Sequence, residues 1–345
     1  MQYRTLGRTG IKVSPYGLGA LMLGASIGNP DHDDSIKIIH KALDAGINLI
    51  DTADAYSQGA SEEVVGKALK GRRDDVVLAT KFGLPAGDDP NRRGTSRRWI
   101  MTAVENSLRR LQTDHIDLYQ IQRPDPDTDI DETLSALSDL IRSGKVRAIG
   151  SSTMPASDLV QAQWVAERRG LERFHTEQPP YSMLNRGIES EVLPVAQRYG
   201  IGTLVWGPLG QGMLTGRARK GQHSDLVRAQ IPFMTAIRNE SRLDVVEQLI
   251  RLADEAGLRM THLAMAFAIS HPGVSSALLG ARTMEHLDDL LAGLDVTVTD
   301  EILDRIDEIV PPGTDVGGRL DQAYVPPALQ RSDLRRRPDG ERLAA

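Results

Sequence analysis

The sequence predicts an α/β protein and, within that class, an eight-stranded (β/α)8 TIM barrel with a short N-terminal hairpin and a C-terminal extension. Three observations carry this prediction. Short apolar runs alternate with segments of helical spacing from Val13 to about Gly280, and a repeated strand–helix order implies a parallel sheet. The number of units, spread over 345 residues, suits one closed barrel with insertions. The rival open sheet usually begins with a glycine-rich phosphate turn. Here Gly17-Leu18-Gly19-Ala20-Leu21-Met22 puts Met22 where the third glycine belongs, and Gly66-Lys67 is followed by Ala68 rather than the Ser or Thr of a phosphate loop.

The elements follow in order. Residues 3–13, with Gly7 and Arg8-Thr9-Gly10 as turn signals, read as a hairpin ahead of the first barrel strand. Apolar runs at 47–50, 76–79, 116–121, 146–149, 202–206 and 276–279 read as buried parallel strands, which need not alternate polar and apolar residues. Ile36, Ile39 and Leu43 make one helical stripe, ended by Gly46. Ser96 caps a helix carrying Ile100, Val104, Leu108 and Leu111. Leu134, Leu137, Leu140 and Ile141 form a third stripe, stopped near Gly144. Leu159, Ala162 and Ala166 form a fourth, with Pro155 in the first turn and Gly170 at the far end. Further helices are expected at 189–199, 243–255, 261–270, 284–292 and 300–310.

One barrel domain is therefore expected over 1–310, with 1–13 as the hairpin and 214–241 as a long polar loop placed where lids occur. Residues 311–345, ending in the basic run Arg335-Arg336-Arg337, read as a mobile tail.

Composition narrows the function classes. Hydrophobic residues make up 40% and charged residues 26%, which suits a full globular core. The net charge of −6 argues against a nucleic-acid footprint. With no Cys, disulfides, thiolate nucleophiles and Cys-ligated zinc are excluded. No metal is expected: His32, His40 and His175 lack ligand spacing, and His115 precedes its strand. The first ten residues lack the apolar stretch of a signal peptide and no apolar run is long enough for a bilayer, so a cytoplasmic protein without membrane insertion is expected. The competing class is a secreted protein whose leader has been trimmed.

In a (β/α)8 barrel, chemistry gathers at the carboxyl ends of the strands. The run 47–50 leads into Asp51-Thr52-Ala53-Asp54-Ala55-Tyr56, the run 76–79 into Thr80-Lys81, and the run 116–121 into Gln122-Arg123-Pro124-Asp125. A free Tyr is a weak acid at neutral pH, and a nearby ammonium stabilises its phenolate. Lys81 can act so on Tyr56, and Asp51 can hold Lys81 by a charged hydrogen bond. Tyr56 then serves as proton donor to an oxygen gaining negative charge, as in a carbonyl reduced by hydride. The hydride must come from a cofactor. Two other readings stand beside this one: a purely structural Asp–Lys pair at the rim, and a Schiff-base lysine, which an adjacent Asp51 disfavours by keeping the amine protonated.

These residues also carry a resemblance. Arg4-Thr5-Leu6-Gly7-Arg8-Thr9-Gly10, Asn48-Leu49-Ile50-Asp51-Thr52-Ala53-Asp54-Ala55-Tyr56, Ala79-Thr80-Lys81, Asp117-Leu118-Tyr119-Gln120, Gly144-Lys145-Val146-Arg147-Ala148-Ile149-Gly150 and Leu278-Leu279-Gly280-Ala281-Arg282-Thr283 resemble the aldo-keto reductase family, in the branch that includes the potassium-channel β subunits. The likeness runs from about Tyr3 to Val310. It implies a barrel binding a nicotinamide cofactor, usually NADPH, extended across the mouth. The family's catalytic Asp, Tyr and Lys match Asp51, Tyr56 and Lys81. Its usual His is Gln122 here, which can donate a hydrogen bond but cannot carry charge. Channel β subunits also have an amide there.

The resemblance further implies a cofactor set. Gly19, Ala20 and Leu21 would line the pyrophosphate and ribose side, with Asp51 counted among the contacts. Ser152 and Gln178 would bond the carboxamide, and Trp206 would stack on the nicotinamide. Gly207, Pro208, Leu209, Gly210 and Gly212 belong to the loop that straps the pyrophosphate, which Arg217 would approach. Gly280, Arg282, His286 and Asp289 mark the adenosine end, where Arg282 suits a 2′-phosphate. The family often has Ser at the Gly207 position, Gln or Arg and Glu at those of His286 and Asp289, and Asn at that of Leu290. The expectation is therefore an NADP-dependent reductase of a small-molecule carbonyl substrate, with no nucleic-acid partner and homo-oligomerisation left open. The alternative is a cofactor-loaded regulatory subunit with little turnover.

Overall fold

A computed structural model describes residues 1–24, 28–221, 240–318 and 331–338. Strands β1 (Arg4–Thr5) and β2 (Lys12–Val13) pair antiparallel, with Arg4 opposite Val13. Eight parallel strands then close a barrel: β3 (Tyr16–Gly19), β4 (Leu49–Asp51), β5 (Val77–Phe82), β6 (Ile116–Ile121), β7 (Val146–Ser152), β8 (Thr176–Gln178), β9 (Gly202–Trp206) and β10 (Val274–Leu279), with β10 returning to β3. Helices α1 (His32–Asp44), α2 (Ala60–Ala68), α3 (Arg97–Leu111), α4 (Ile130–Arg142), α5 (Ala156–Arg169), α6 (Val192–Tyr199), α7 (Glu240–Glu255), α8 (Met260–Ser270), α9 (Met284–Ala292) and α10 (Asp300–Ile309) occupy the segments between and after the strands. The hairpin and the (β/α)8 barrel are those the sequence predicts.

Strand periodicity explains where the site forms. Side chains alternate between the two faces of a strand. Leu49, Ala79, Leu118, Ala148, Leu204 and Leu278 form one buried cluster inside the barrel, joined by Leu6 and Val13 of the hairpin. Leu6 and Val13 thus close the barrel's amino end. Gly7 is required for that closure. Its φ is +56°, and a Cβ would meet the His175 carbonyl at 2.7 Å. The neighbouring strand residues Ile50, Leu78, Tyr119, Ile149, Val205 and Ala277 point outward into the helix layer and the larger core. Counting inward positions two at a time toward the carboxyl ends, Leu49 leads to Asp51, Ala79 to Lys81, Leu118 to Gln120 and Gln122, Ala148 to Gly150 and Ser152, and Leu204 to Trp206. Leu278 likewise leads to Gly280. One period therefore puts apolar residues at the floor and polar ones at the mouth.

The sequence reading differs from the structure in several elements. Strands β3 and β8 were not among the apolar runs, because Tyr16-Gly17-Leu18-Gly19 is half glycine and Thr176-Glu177-Gln178 is polar. Helix α2 was missed, since it begins within the loop after β4. Pro155 is the N-cap of α5 rather than a first-turn residue. The helix expected from 189 begins at Val192, after a 3-10 turn over Gly187–Glu189.

The segment expected as a 214–241 loop has Leu214 and Thr215 in a 3-10 turn (Gly210–Thr215) and Glu240 opening α7, while 222–239 lies outside the described residues. The stretch expected as a tail is packed at its start. Val316 N donates to the Leu184 carbonyl at 2.9 Å. The buried Arg242 donates through Nε to the Val316 carbonyl at 2.7 Å and through Nη2 to that of Gly318 at 2.6 Å. Residues 319–330 and 339–345 lie outside the described residues.

Candidate active site

A cleft of about 1330 Å³ runs across the carboxyl mouth of the barrel. Asp51, Tyr56, Lys81, Gln122 and Trp206 line it, and so do Arg217, Arg282 and His286.

Lys81 is 1% exposed. Its Nζ donates to Asp51 Oδ2 at 2.5 Å and to the Thr52 carbonyl at 2.6 Å. Burial acts to lower the Lys81 pKa, but Asp51 and Tyr56 outweigh it and the net direction is upward. The ammonium therefore keeps its proton in a buried place. Asp51 spends its other oxygen, Oδ1, on Gln178 Nε2 at 2.9 Å. The polar strand β8 thus completes the pair that β4 and β5 begin. Tyr56 sits in the turn after β4, with its ring centroid 4.9 Å from Lys81 Nζ. Ser57 and Gln58 beyond it adopt φ of 49° and 56°, a left-handed step uncommon for non-glycine residues that brings the chain into α2. Gln122 is 5% exposed, and its Oε1 has no hydrogen-bond partner among the described residues. Its amide keeps hydrogen-bonding capacity for a ligand.

The floor between these residues and Trp206 comes from Ser152 and Gln178. Ser152 Oγ donates to the Gln178 carbonyl at 2.8 Å. Behind them Glu177, which points away from the cleft, accepts from Ser151 Oγ at 2.5 Å and from Met154 N at 3.0 Å. It thereby fixes the turn in which Thr153 adopts φ of 57°. Burial pushes the Glu177 carboxyl up from 4.5 to about 7, against those hydrogen bonds. Between these two values the folded protein holds a proton that the unfolded chain has lost. Glu177's contribution to stability is therefore full below the unfolded value and falls as pH rises toward about 7. Glu177→Gln is expected to flatten that part of the profile, by on the order of 1–3 kcal/mol between its ends. Urea melts at a series of pH values read the slope, and an unchanged slope refutes the assignment.

Most of the sequence-predicted cofactor residues lie together. Gly19, Leu21, Ser152, Gln178, Trp206, Gly207, Pro208, Leu209, Gly212, Arg217, Gly280, Arg282, His286 and Asp289 all line the cleft. Ala20 and Gly210 do not. Ala20 is fully buried and its carbonyl accepts from Ser61 Oγ at 2.8 Å, while Gly210 packs against Leu184 and Leu214. The Asp289 carboxylate is engaged by Arg259 and by Thr261 Oγ1, the latter at 3.0 Å, so it braces α9 against α8. His286 is pulled below its usual pKa by burial first and then by Arg217 and Arg282. Among the described residues, neither arginine has an ion pair or hydrogen bond in the protein. Two cations without a carboxylate partner in a cleft wall fit an anionic ligand. Arg123, Met22 and Arg259 line the cleft and were missed. For Arg123 the signal was available, since it follows Gln122 at a strand end.

A closed barrel whose cleft holds a buried ion pair beside a tyrosine, and is lined as well by Arg217 and Arg282, has the layout of a barrel oxidoreductase. Residues 15–311 match the profile of the aldo/keto reductase family. The chain belongs to that family. It is 42% identical to aldo-keto reductase YhdN of Bacillus subtilis over 296 residues, covering 84% of this chain and 88% of that protein. It is 35% identical to a probable voltage-gated potassium channel subunit beta of Oryza sativa over 321 residues, covering 90% and 97%. It is 34% identical to versiconal hemiacetal acetate reductase of Aspergillus parasiticus over 340 residues, covering 89% and 96%. No helix among the described residues is long and apolar enough to cross a membrane, and none of the described residues form a His, Asp and Glu cluster suited to a metal.

Proposed function

We propose that the chain reduces an aldehyde or ketone to an alcohol with NADPH. The observation that carries this reading is the buried Lys81–Asp51 pair beside the Tyr56 ring at the cleft floor. Trp206, Ser152 and Gln178 would hold the nicotinamide end, the loop from Gly207 to Gly212 with Arg217 the pyrophosphate, and Arg282 the 2′-phosphate. When bound, the cofactor supplies a hydride. The chain's own residues handle the oxygen. Tyr56 donates its phenolic proton to the carbonyl oxygen as negative charge gathers there. Lys81 places a fixed positive charge beside the phenolate left behind, and Asp51 with the Thr52 carbonyl keeps that ammonium from turning away. The Gln122 amide orients the carbonyl by a hydrogen bond without taking part in proton transfer.

The test is loss of NADPH absorbance with a panel of aldehydes and ketones. Gln122, in place of an ionisable side chain, favours a second reading: a cofactor-loaded regulatory subunit, in line with the likeness to probable voltage-gated potassium channel beta subunits. Tight NADPH binding with no oxidation on any carbonyl selects that reading. For the adenosine end, Arg282→Ala is expected to weaken NADPH by roughly 10–100-fold while leaving NADH much less affected, since only the former carries the extra phosphate. Equal losses for both cofactors in a fluorescence titration reject the 2′-phosphate role.

A further inference from the structure

Asp54 is a buried carboxyl with no assigned part in the reduction. It stands two residues before Tyr56 in the loop after β4 and does not line the cleft. It is 8% exposed, and neither carboxyl oxygen has a hydrogen-bond partner among the described residues. The loop that carries it is tied to Lys81 twice. The Asp54 N–H donates to the Lys81 carbonyl at 3.0 Å, and Lys81 Nζ donates to the Thr52 carbonyl at 2.6 Å. The same ammonium lies 4.9 Å from the Tyr56 ring centroid.

The surroundings resist a charge on Asp54. Glu62 of α2 is fully buried, accepts from Thr80 Oγ1 at 2.6 Å and pairs with Arg110 of α3 at 2.6 Å. The charge of Glu62 is thus matched, and it stands against a second carboxylate. Tyr119 on β6 also feels Asp54, but burial drives its phenol well up, so it stays neutral. An enclosed carboxylate without hydrogen bonds is costly and takes up a proton instead. Burial first, and then Glu62, push the Asp54 carboxyl up from 3.8 to about 7. Arg110, the Ala55 N–H (outside hydrogen-bonding geometry) and Lys81 act the other way.

We infer that Asp54 is a positioning residue that governs how strongly the Lys81 ammonium assists Tyr56: uncharged, it leaves that field to the phenol, and ionised, it offsets it. This inference rests on the reduction proposed above. Asp51 already balances the charge of Lys81 in a direct pair. A further carboxylate nearby makes the surroundings of the phenolate net negative, so giving up the Tyr56 proton costs more. The reduction is therefore fastest while Asp54 holds its proton and slows as pH rises through about 7.

Single turnovers of the NADPH-loaded chain with one reactive aldehyde read the chemical step. Wild type is expected to slow by about threefold to tenfold between roughly pH 6 and pH 8. Asp54→Asn should hold the low-pH rate throughout and so outpace wild type at the upper end by the same factor. Asp54→Ala carries the same expectation if the amide variant does not fold. Glu177→Gln should keep the wild-type fall, because Glu177 changes charge over the same range but points away from the cleft. An Asp54→Asn rate that falls as wild type does, or that lies below wild type at every pH, overturns the inference, as does a fall that vanishes in Glu177→Gln. If no aldehyde is turned over, the reduction reading fails by itself, and NMR of the chain with isotope-labelled tyrosine decides the rest. The Tyr56 Cζ signal, assigned by its loss in Tyr56→Phe, is followed against pH. A step at about pH 7 in wild type that is absent from Asp54→Asn supports the coupling; no step in wild type, or one that persists in Asp54→Asn, rejects it.

Discussion

Tyr56→Phe is expected to lower kcat by about 10²–10⁴-fold while leaving NADPH binding and the melting temperature close to wild type. The substitution keeps the ring and its contact with the Lys81 ammonium, 4.9 Å from the ring centroid. It removes only the O–H. Tyr56 is half-buried in the turn after β4, so the change opens no core cavity. The loss should therefore appear in the chemical step. Gln122 can still orient the carbonyl and Lys81 still supplies positive charge, so residual turnover should remain above that of Lys81 variants. Steady-state kinetics with one reactive aldehyde, beside a fluorescence titration of NADPH, separates the two effects. Turnover within about threefold of wild type removes Tyr56 from the role of acid.

Tyr56, Lys81 and Gln122 were legible in the sequence because a barrel obeys one rule, that polar residues just beyond apolar strand runs sit at the mouth. The same rule failed for strands with no apolar run to mark them. Thr176-Glu177-Gln178 forms β8 through its neighbours' backbone pairing, with Gly150 opposite Thr176. A Cβ at Gly150 would stand 1.9 Å from Thr176 Oγ1, so that glycine is shaped by a strand the local pattern does not reveal. Gln178 was found only through family likeness, and its bond to Asp51 required the fold. Arg123 was passed over for a different reason: it follows Gln122 at a strand end, but only the fold shows that it lines the cleft. The packing of Val316 and Gly318 could not be read locally, because its anchors, Leu184 and Arg242, are distant in sequence and Arg242 reads as an ordinary helix-start cation.

Lys81→Met is expected to abolish measurable turnover and to cost about 3–5 kcal/mol of stability, because it strands the Asp51 carboxylate in the interior. The side chains of Lys81 and Asp51 are 2% and 3% exposed, so water cannot replace the lost partner. Gln178 Nε2 still donates to one Asp51 oxygen, but the other loses the Lys81 ammonium. Adding Asp51→Asn should recover most of that stability. The neutral amide needs no counter-ion, and its oxygen can still accept from Gln178. Turnover should not return, since the double variant still lacks the charge beside Tyr56. That recovery is expected because a buried ion pair contributes little net stability once both charges are removed together, whereas a pair kept for stability would leave the double variant as unstable as Lys81→Met. The decisive comparison is therefore a double-mutant cycle in urea melts, run beside kcat for all four proteins. Recovery of stability without recovery of turnover assigns the pair to chemistry. A double variant as unstable as Lys81→Met, or one that regains turnover, returns the pair to the barrel rim as a structural feature.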